Sequence, residues 1–256
     1  MNAVPPIDPA MPLHQYRQTR LKKNRDLKVI ITSRNSTTGT GKTTLAVWLA
    51  LNWDSDWSAE AKGTLSVKEY LNTYKELSPG SVLVMDEAEQ LDARRSMSQQ
   101  NVDFAEKWMM MRVRNVTSIL TLPTASALDK RLKELADVRI NVLRRGKARV
   151  YGITVDDHNT SDVNEWGAHD IHWPDISGHP EMEALDAMKE AKIEGVLEGD
   201  DNSDETPDPD EARRKERIET AQRMRDNGMT IQEIADSVGM STSWVGKYTE
   251  KPVETR

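Results

Sequence analysis

A lysine and two threonines set among glycines, in the run NSTTGTGKTT at residues 35–44, carry the strongest chemical signal in this chain. Backbone N–H groups crowd around a β-phosphate only where glycines leave room, a lysine reaches the β- and γ-oxygens, and a hydroxyl ligates magnesium. Thr38, Gly39, Thr40, Gly41, Lys42, Thr43 and Thr44 are the candidate triphosphate contacts, with Lys42 acting on the transferred group and Thr43 on the metal. One departure from the full loop pattern is Ser36, where a glycine would stand six residues before the lysine. The bland alternative is a Gly-Lys-Thr occurring in an ordinary surface loop.

A second cluster of chemistry lies at SVLVMDEA, residues 81–88, an apolar run ending in two adjacent acids. An acid at the end of a buried strand holds magnesium through water, and a following carboxylate polarises the attacking water. Asp86 is therefore assigned to the metal and Glu87 to general-base work. The competing reading makes both acids caps of a helix beginning near Ala88, at the positive end of its dipole. Thr121 closes a third apolar run, residues 115–123, and is the candidate polar sensor of the γ-phosphate, although threonine also simply favours strands.

These residues need particular elements to bring them together. Residues 28–32 read as a buried strand and residues 44–50 as a helix, so the glycine loop sits between strand and helix. A strand at 81–85, a helix at about 99–113 and the strand at 115–123 then imply a largely parallel sheet, whose ligands gather at the carboxyl ends of its strands. Beyond Arg139, two alternating runs at 139–143 and 148–153 flank Arg144, Arg145, Gly146 and Lys147. They predict a β-hairpin turning at Gly146, with a basic tip that either meets nucleic acid or protects a sheet edge.

The segments NSTTGTGKTT, SVLVMDEAEQLDARRSMSQQN, WMMMRVRN, SILTLPTASALDKRLKEL and RINVLRRGKARVYGI resemble, in order and spacing, the FtsK/HerA-type P-loop ATPases of archaea and their viruses and plasmids, whose relatives include genome-packaging ATPases and Zot-like phage proteins. The resemblance spans about residues 26–155. It implies an α/β, RecA-like core that uses ATP and Mg²⁺ to move double-stranded DNA as a homo-oligomeric ring, a hexamer being favoured. In such rings a neighbouring subunit contributes an arginine that stabilises transition-state charge. Arg112, Arg114 and Arg131 are the candidates, each of which also reads as a solvated surface charge. Arg94, Arg95 and Gln100 fall where the resemblance places elements coupling nucleotide to DNA, a solvated helix face being the equal alternative.

A separate unit is expected at residues 211–256. Thr230 and Glu233 form a capping box, Gly239 permits a left-handed turn, and Ser241 caps a further helix. With a preceding helix at 212–227 offering Ile218, Ala221 and Met224, this is a small all-α helix-turn-helix pattern whose apolar face continues through Ile234, Ala235, Val238, Met240, Val245 and Tyr248. Its second helix would offer Ser241, Thr242, Ser243, Trp244, Gly246 and Lys247 to a major groove. A helical oligomerisation module is the alternative. Residues 198–210 are acidic and Pro-containing, and read as a disordered tether reaching about 20 Å, with an amphipathic helix at 181–197 before it.

At 256 residues the chain accommodates a core at 26–180 and this small domain, with 1–25 expected as a loose arm. Its net charge of −7 argues against a protein that coats DNA uniformly. Residues 212–256 are nonetheless slightly basic, with nine Lys and Arg against seven Asp and Glu. Zero cysteines exclude thiolate chemistry and suit the cytoplasm, and no apolar run is long enough to span a bilayer, unlike the expectation for Zot-like relatives. His158, His169, His172 and His179 share a loop-rich stretch with Asp156, Asp157 and Asp170 but match no zinc spacing. The function expected is an ATP-hydrolysing DNA motor serving translocation, genome packaging, or plasmid partition or transfer. An ATP-switched helix-turn-helix transcription regulator and a replicative helicase loader are the alternatives.

Overall fold

The computed structural model describes residues 4–33, 39–88, 99–110, 114–124, 130–155, 163–197 and 209–249. The chain divides into two compact units, Met1–Asp204 and Glu205–Arg256.

The first unit is built on β1, Leu27–Ser33, every residue of which is buried. It lies in the middle of a seven-stranded sheet with β2 (Gly63–Thr64), β3 (Val82–Met85), β4 (Thr117–Thr121), β5 (Val138–Arg144), β6 (Lys147–Val155) and β7 (Val163–His172), in the order β2-β3-β4-β1-β5-β6-β7. The strands from β2 to β5 pair in parallel, and β6 and β7 add antiparallel. The outcome is a mostly parallel mixed sheet with helices on both faces. Parallel strands covered on both faces read as unbroken apolar runs, because both alternating sets of side chains are inside. Val29 and Ile31 point into one core with Val82, Val84 and Ile119, while Ile30 joins Leu83, Met85 and Leu120 in the other.

The first face is covered by α2 (Lys42–Trp53), which is apolar nearly all round and correspondingly buried, together with α1 (Pro12–Lys22), α3 (Ala59–Lys62) and α7 (Pro180–Leu197). The second face carries α4 (Val67–Tyr74), α5 (Gln99–Met110) and α6 (Lys130–Leu135), with Tyr70, Phe104 and Trp108 fully buried.

Two expectations from the sequence fail here. Residues 1–25 are not simply a loose arm, because Ile7 is buried in the core ahead of α1, and α1 packs there through Leu13 and through Arg17, which is 2% exposed. The Arg17 guanidinium donates to Thr117 Oγ1 (3.1 Å), the Trp53 carbonyl (3.0 Å) and the Gly80 carbonyl (2.8 Å), and so anchors this segment to the sheet. Nor are residues 163–172 a loop. They form β7, paired to β6 and tied to it by Asp170 between Arg149 (2.7 Å) and Lys147 (2.8 Å). Its outward polar residues leave an outer strand without the apolar alternation by which strands are recognised. The predicted hairpin is β5–β6, turning through Gly146 at φ +74°.

In the second unit α8 (Pro209–Asp226), α9 (Ile231–Val238) and α10 (Thr242–Tyr248) surround Ala221, Ile234, Ala235 and Val245. Thr230 and Glu233 cap α9 reciprocally, Gly239 ends it at φ +66°, and the Ser241 hydroxyl accepts from Trp244 N at 3.1 Å. Most of the expected tether, residues 198–208, lies outside the described residues.

Candidate functional site

Gly39 and Gly41 take φ of +70° and +90°, values that glycine adopts without strain and that turn the chain off β1 into α2. Gly41 immediately precedes Lys42, the first residue of α2, and the N-terminal amides and dipole of such a helix favour an anion. The Thr40 hydroxyl is buried with no hydrogen-bond partner, a donor that an oxygen-rich ligand would satisfy.

Strand order then assembles the rest. Because β4 lies between β1 and β3, the Thr121 hydroxyl ends up between the loop and the strand-end acids. The Thr43 hydroxyl donates to the Asp86 carboxylate, at 2.9 Å from Oδ2 and 3.1 Å from Oδ1. The Thr121 hydroxyl donates to Asp86 Oδ1 and accepts from the Glu87 backbone N–H at 3.0 Å. Asp86 is wholly buried, whereas the Glu87 side chain is 64% exposed and its backbone sits at φ +55°, left-handed for a non-glycine residue. Strain of this kind typically costs about 1–3 kcal/mol and persists only where neighbours hold it. The Thr121 bond is one such hold.

Two cations that the sequence reading did not assign to the pocket complete it. Lys189 on α7 reaches Asp86 Oδ2 at 2.5 Å and lies 3.9 Å from Glu87 Oε1. Burial works against its charge, but the charge and hydrogen bond of Asp86, aided by Glu87 and Asp186, prevail and hold its pKa above the ordinary lysine value. Arg145, at the hairpin tip, donates from Nε to the Gly39 carbonyl at 2.9 Å, so part of the basic tip turns toward the phosphate loop. Arg145 was visible only as a member of a basic run. Lys189 carried no local signal, since its partner Asp86 lies across the fold.

These groups line a cavity of about 540 Å³ that extends from Gly39 and Lys42 past Thr121 to Trp173 and Asp175. That volume suits a nucleotide-sized ligand. The geometry is that of a P-loop nucleotide pocket. Thr43 and Asp86 fit a magnesium site, since an ammonium already sits against the carboxylate there, marking a place that accepts a cation.

Of the expected site residues, Gly39, Thr40, Gly41, Lys42, Thr43, Thr44, Asp86, Glu87 and Thr121 all line this cavity. Thr38, Arg112, Ser36, Arg94 and Arg95 lie outside the described residues, and Gln100 falls on α5. Arg114 is exposed at the opposite end of β4 from Thr121, donating to the Lys75 carbonyl, and Arg131 is exposed on α6. Neither lines the pocket of its own chain. Ser241, Thr242, Ser243, Trp244, Gly246 and Lys247 belong to the second unit, where Thr242, Ser243, Gly246 and Lys247 are exposed and Trp244 packs its ring against Tyr248 at 5.2 Å. No group of three or more metal-ligating side chains occurs among the described residues, and no described helix is long and apolar enough to cross a membrane.

Residues 56–169 match the family model for zonular occludens toxin (Zot). No curated protein matches the chain. Among solved structures, the N-terminal domain of zonular occludens toxin from Neisseria meningitidis aligns at 15% identity and a TM-score of 0.36, over 57% of this chain and 95% of that one. The genome-packaging NTPase B204 of Sulfolobus turreted icosahedral virus 2, bound to ATP-γS, aligns at 13% identity and a TM-score of 0.34, over 56% and 97%. The FIGL-1 AAA domain in complex with ADP aligns at 15% identity and a TM-score of 0.34, over 56% and 58%. Residues 56–169 are thus similar to the Zot family, and Gly39–Thr44, Asp86, Glu87 and Thr121 line one cavity with the make-up of a P-loop nucleotide pocket.

Proposed function

We propose that the chain is an ATP-hydrolysing motor acting on double-stranded DNA, with residues 209–249 serving as a helix-turn-helix that holds the DNA. The hydrolysis reading is carried by one observation: Thr43 and Thr121 converge on buried Asp86 at the strand ends, beside exposed Glu87. Lys42 and the amides opening α2 bind and orient the phosphates. Thr43 and Asp86 would hold magnesium, which when bound would supply neutralisation of the phosphate charge. Glu87, exposed to water, takes the proton of the attacking water, and Thr121 holds the Asp86–Glu87 turn in place. A ring of identical subunits would let Arg112, Arg114 or Arg131 of one subunit complete the pocket of the next.

The DNA reading is supported by the exposed face of α10 at Thr242, Ser243, Gly246 and Lys247 and by the left-handed turn at Gly239. The test is the ATPase rate of the full chain with and without duplex DNA. Native protein is expected to be stimulated by duplex of any sequence, Lys42→Ala to lose turnover, and Glu87→Gln to keep nucleotide binding while slowing about a hundredfold or more. Folded native protein that turns over no ATP with or without DNA would refute the motor. Slow turnover together with tight binding to one palindromic site would favour an ATP-switched regulator instead.

A further inference from the structure

The Lys189 ammonium occupies the place where metal chemistry is expected. It is 2.5 Å from Asp86 Oδ2, 3.7 Å from Asp186 Oδ1 and 3.9 Å from Glu87 Oε1, and its side chain is only 18% exposed. The same Asp86 Oδ2 accepts from the Thr43 hydroxyl at 2.9 Å, so the lysine and a magnesium bound through Thr43 and Asp86 would compete for one carboxylate. Among the described charges lining the cavity, Asp86, Glu87, Asp175 and Asp186 face Lys42, Arg145 and Lys189, a net charge near −1. A bare divalent cation would make that balance positive, whereas a metal–triphosphate brings enough negative charge to accommodate both the metal and the lysine.

We infer that Lys189 is the resident cation of the metal position: it keeps free divalent metal off Thr43 and Asp86, and makes the site selective for metal already carried on a triphosphate. The inference rests on the nucleotide site proposed above. Charge is the relevant property, because an uncharged side chain at 189 leaves the four carboxylates facing only two cations and turns the pocket into an open divalent site. Arginine at the same position would preserve the exclusion.

The experiment is electron paramagnetic resonance of Mn²⁺ titrated into the full chain, first alone and then with a non-hydrolysable ATP analogue. Native protein and Lys189→Arg should bind Mn²⁺ weakly without the analogue and tightly with it. Lys189→Met, and Lys189→Gln as a second uncharged variant, should bind Mn²⁺ alone about tenfold tighter or more than native, while their affinity with the analogue stays within a few-fold. Equal affinity of native and both uncharged variants for Mn²⁺ alone, with all of them taking up Mn²⁺ plus analogue, would overturn the inference and leave the nucleotide site standing. If native chain takes up no Mn²⁺ even with the analogue, the nucleotide site itself fails, and the role of Lys189 with it.

Discussion

At the scale of single residues, Thr121 has a different part from the one its position suggested. A threonine hydroxyl has one proton, and here that proton goes to Asp86 Oδ1 while the oxygen accepts from the Glu87 N–H. It holds the two acids in register and leaves no donor for a γ-phosphate in this state. Thr121→Val should therefore leave the Glu87 N–H unsatisfied and destabilise the first unit by about 1–3 kcal/mol in a denaturant titration. It should also lower kcat more than it raises KM, and Thr121→Ser should restore both, an outcome that lost packing alone would not give. Lys42, Thr43, Asp86 and Glu87 were legible in the sequence because each is placed by its neighbours in the chain, the first two opening α2 directly after the glycine loop and the acids directly following β3. Lys189 and Arg145 were not, because a lysine on an amphipathic helix or an arginine in a basic turn has the same local pattern whether it meets water or a carboxylate.

At the scale of elements, strand order does most of the positioning. The parallel strands β1, β3 and β4 announced themselves by continuous apolar runs, and the placement of β4 between β3 and β1 follows from pairing, which no local pattern encodes. Helix α1 was missed for a related reason. Its sequence PLHQYRQTRLK is polar on most faces, and it is fixed less by apolar area than by one guanidinium reaching three oxygens. Burial, only partly offset by Asp54, depresses the Arg17 pKa to about 10, a measure of how far that charge has left water. Arg17→Met should destabilise the first unit by about 2–4 kcal/mol, read by urea unfolding, since it orphans the Trp53 and Gly80 carbonyls. The hairpin tip is testable in the same way. Arg145→Ala frees the Gly39 carbonyl and should weaken binding of a fluorescent ATP analogue several-fold, whereas Arg144→Ala, on the exposed end of β5, should leave it unchanged.

At the scale of the whole molecule, the chain divides into a large α/β unit and a small helical one, and the second has little apolar surface to spare. Among the described residues, its buried apolar side chains are Ala221, Ile234, Ala235 and Val245, so local devices at helix ends carry a large share of its stability. The capping box is the strongest of these: the Thr230 hydroxyl accepts from Glu233 N at 3.3 Å, and Glu233 Oε2 accepts from Thr230 N at 2.9 Å and from the Thr230 hydroxyl at 2.7 Å. The Thr230 side chain first, and its backbone N–H second, hold the Glu233 carboxyl below the usual glutamate range. A carboxyl whose pKa is depressed by folding contributes stability above its unfolded value, near 4.3, and that contribution disappears as pH falls through the lower folded value. Thr230→Ala should thus lower the melting temperature of residues 231–248 by about 5 °C at neutral pH, followed through their amide NMR signals in the full chain. The gap between native and variant should narrow as pH falls from about 5 to 3, because protonated Glu233 no longer gains from the cap. A gap that stays constant across that range would mean that Thr230 caps the helix independently of the charge on Glu233.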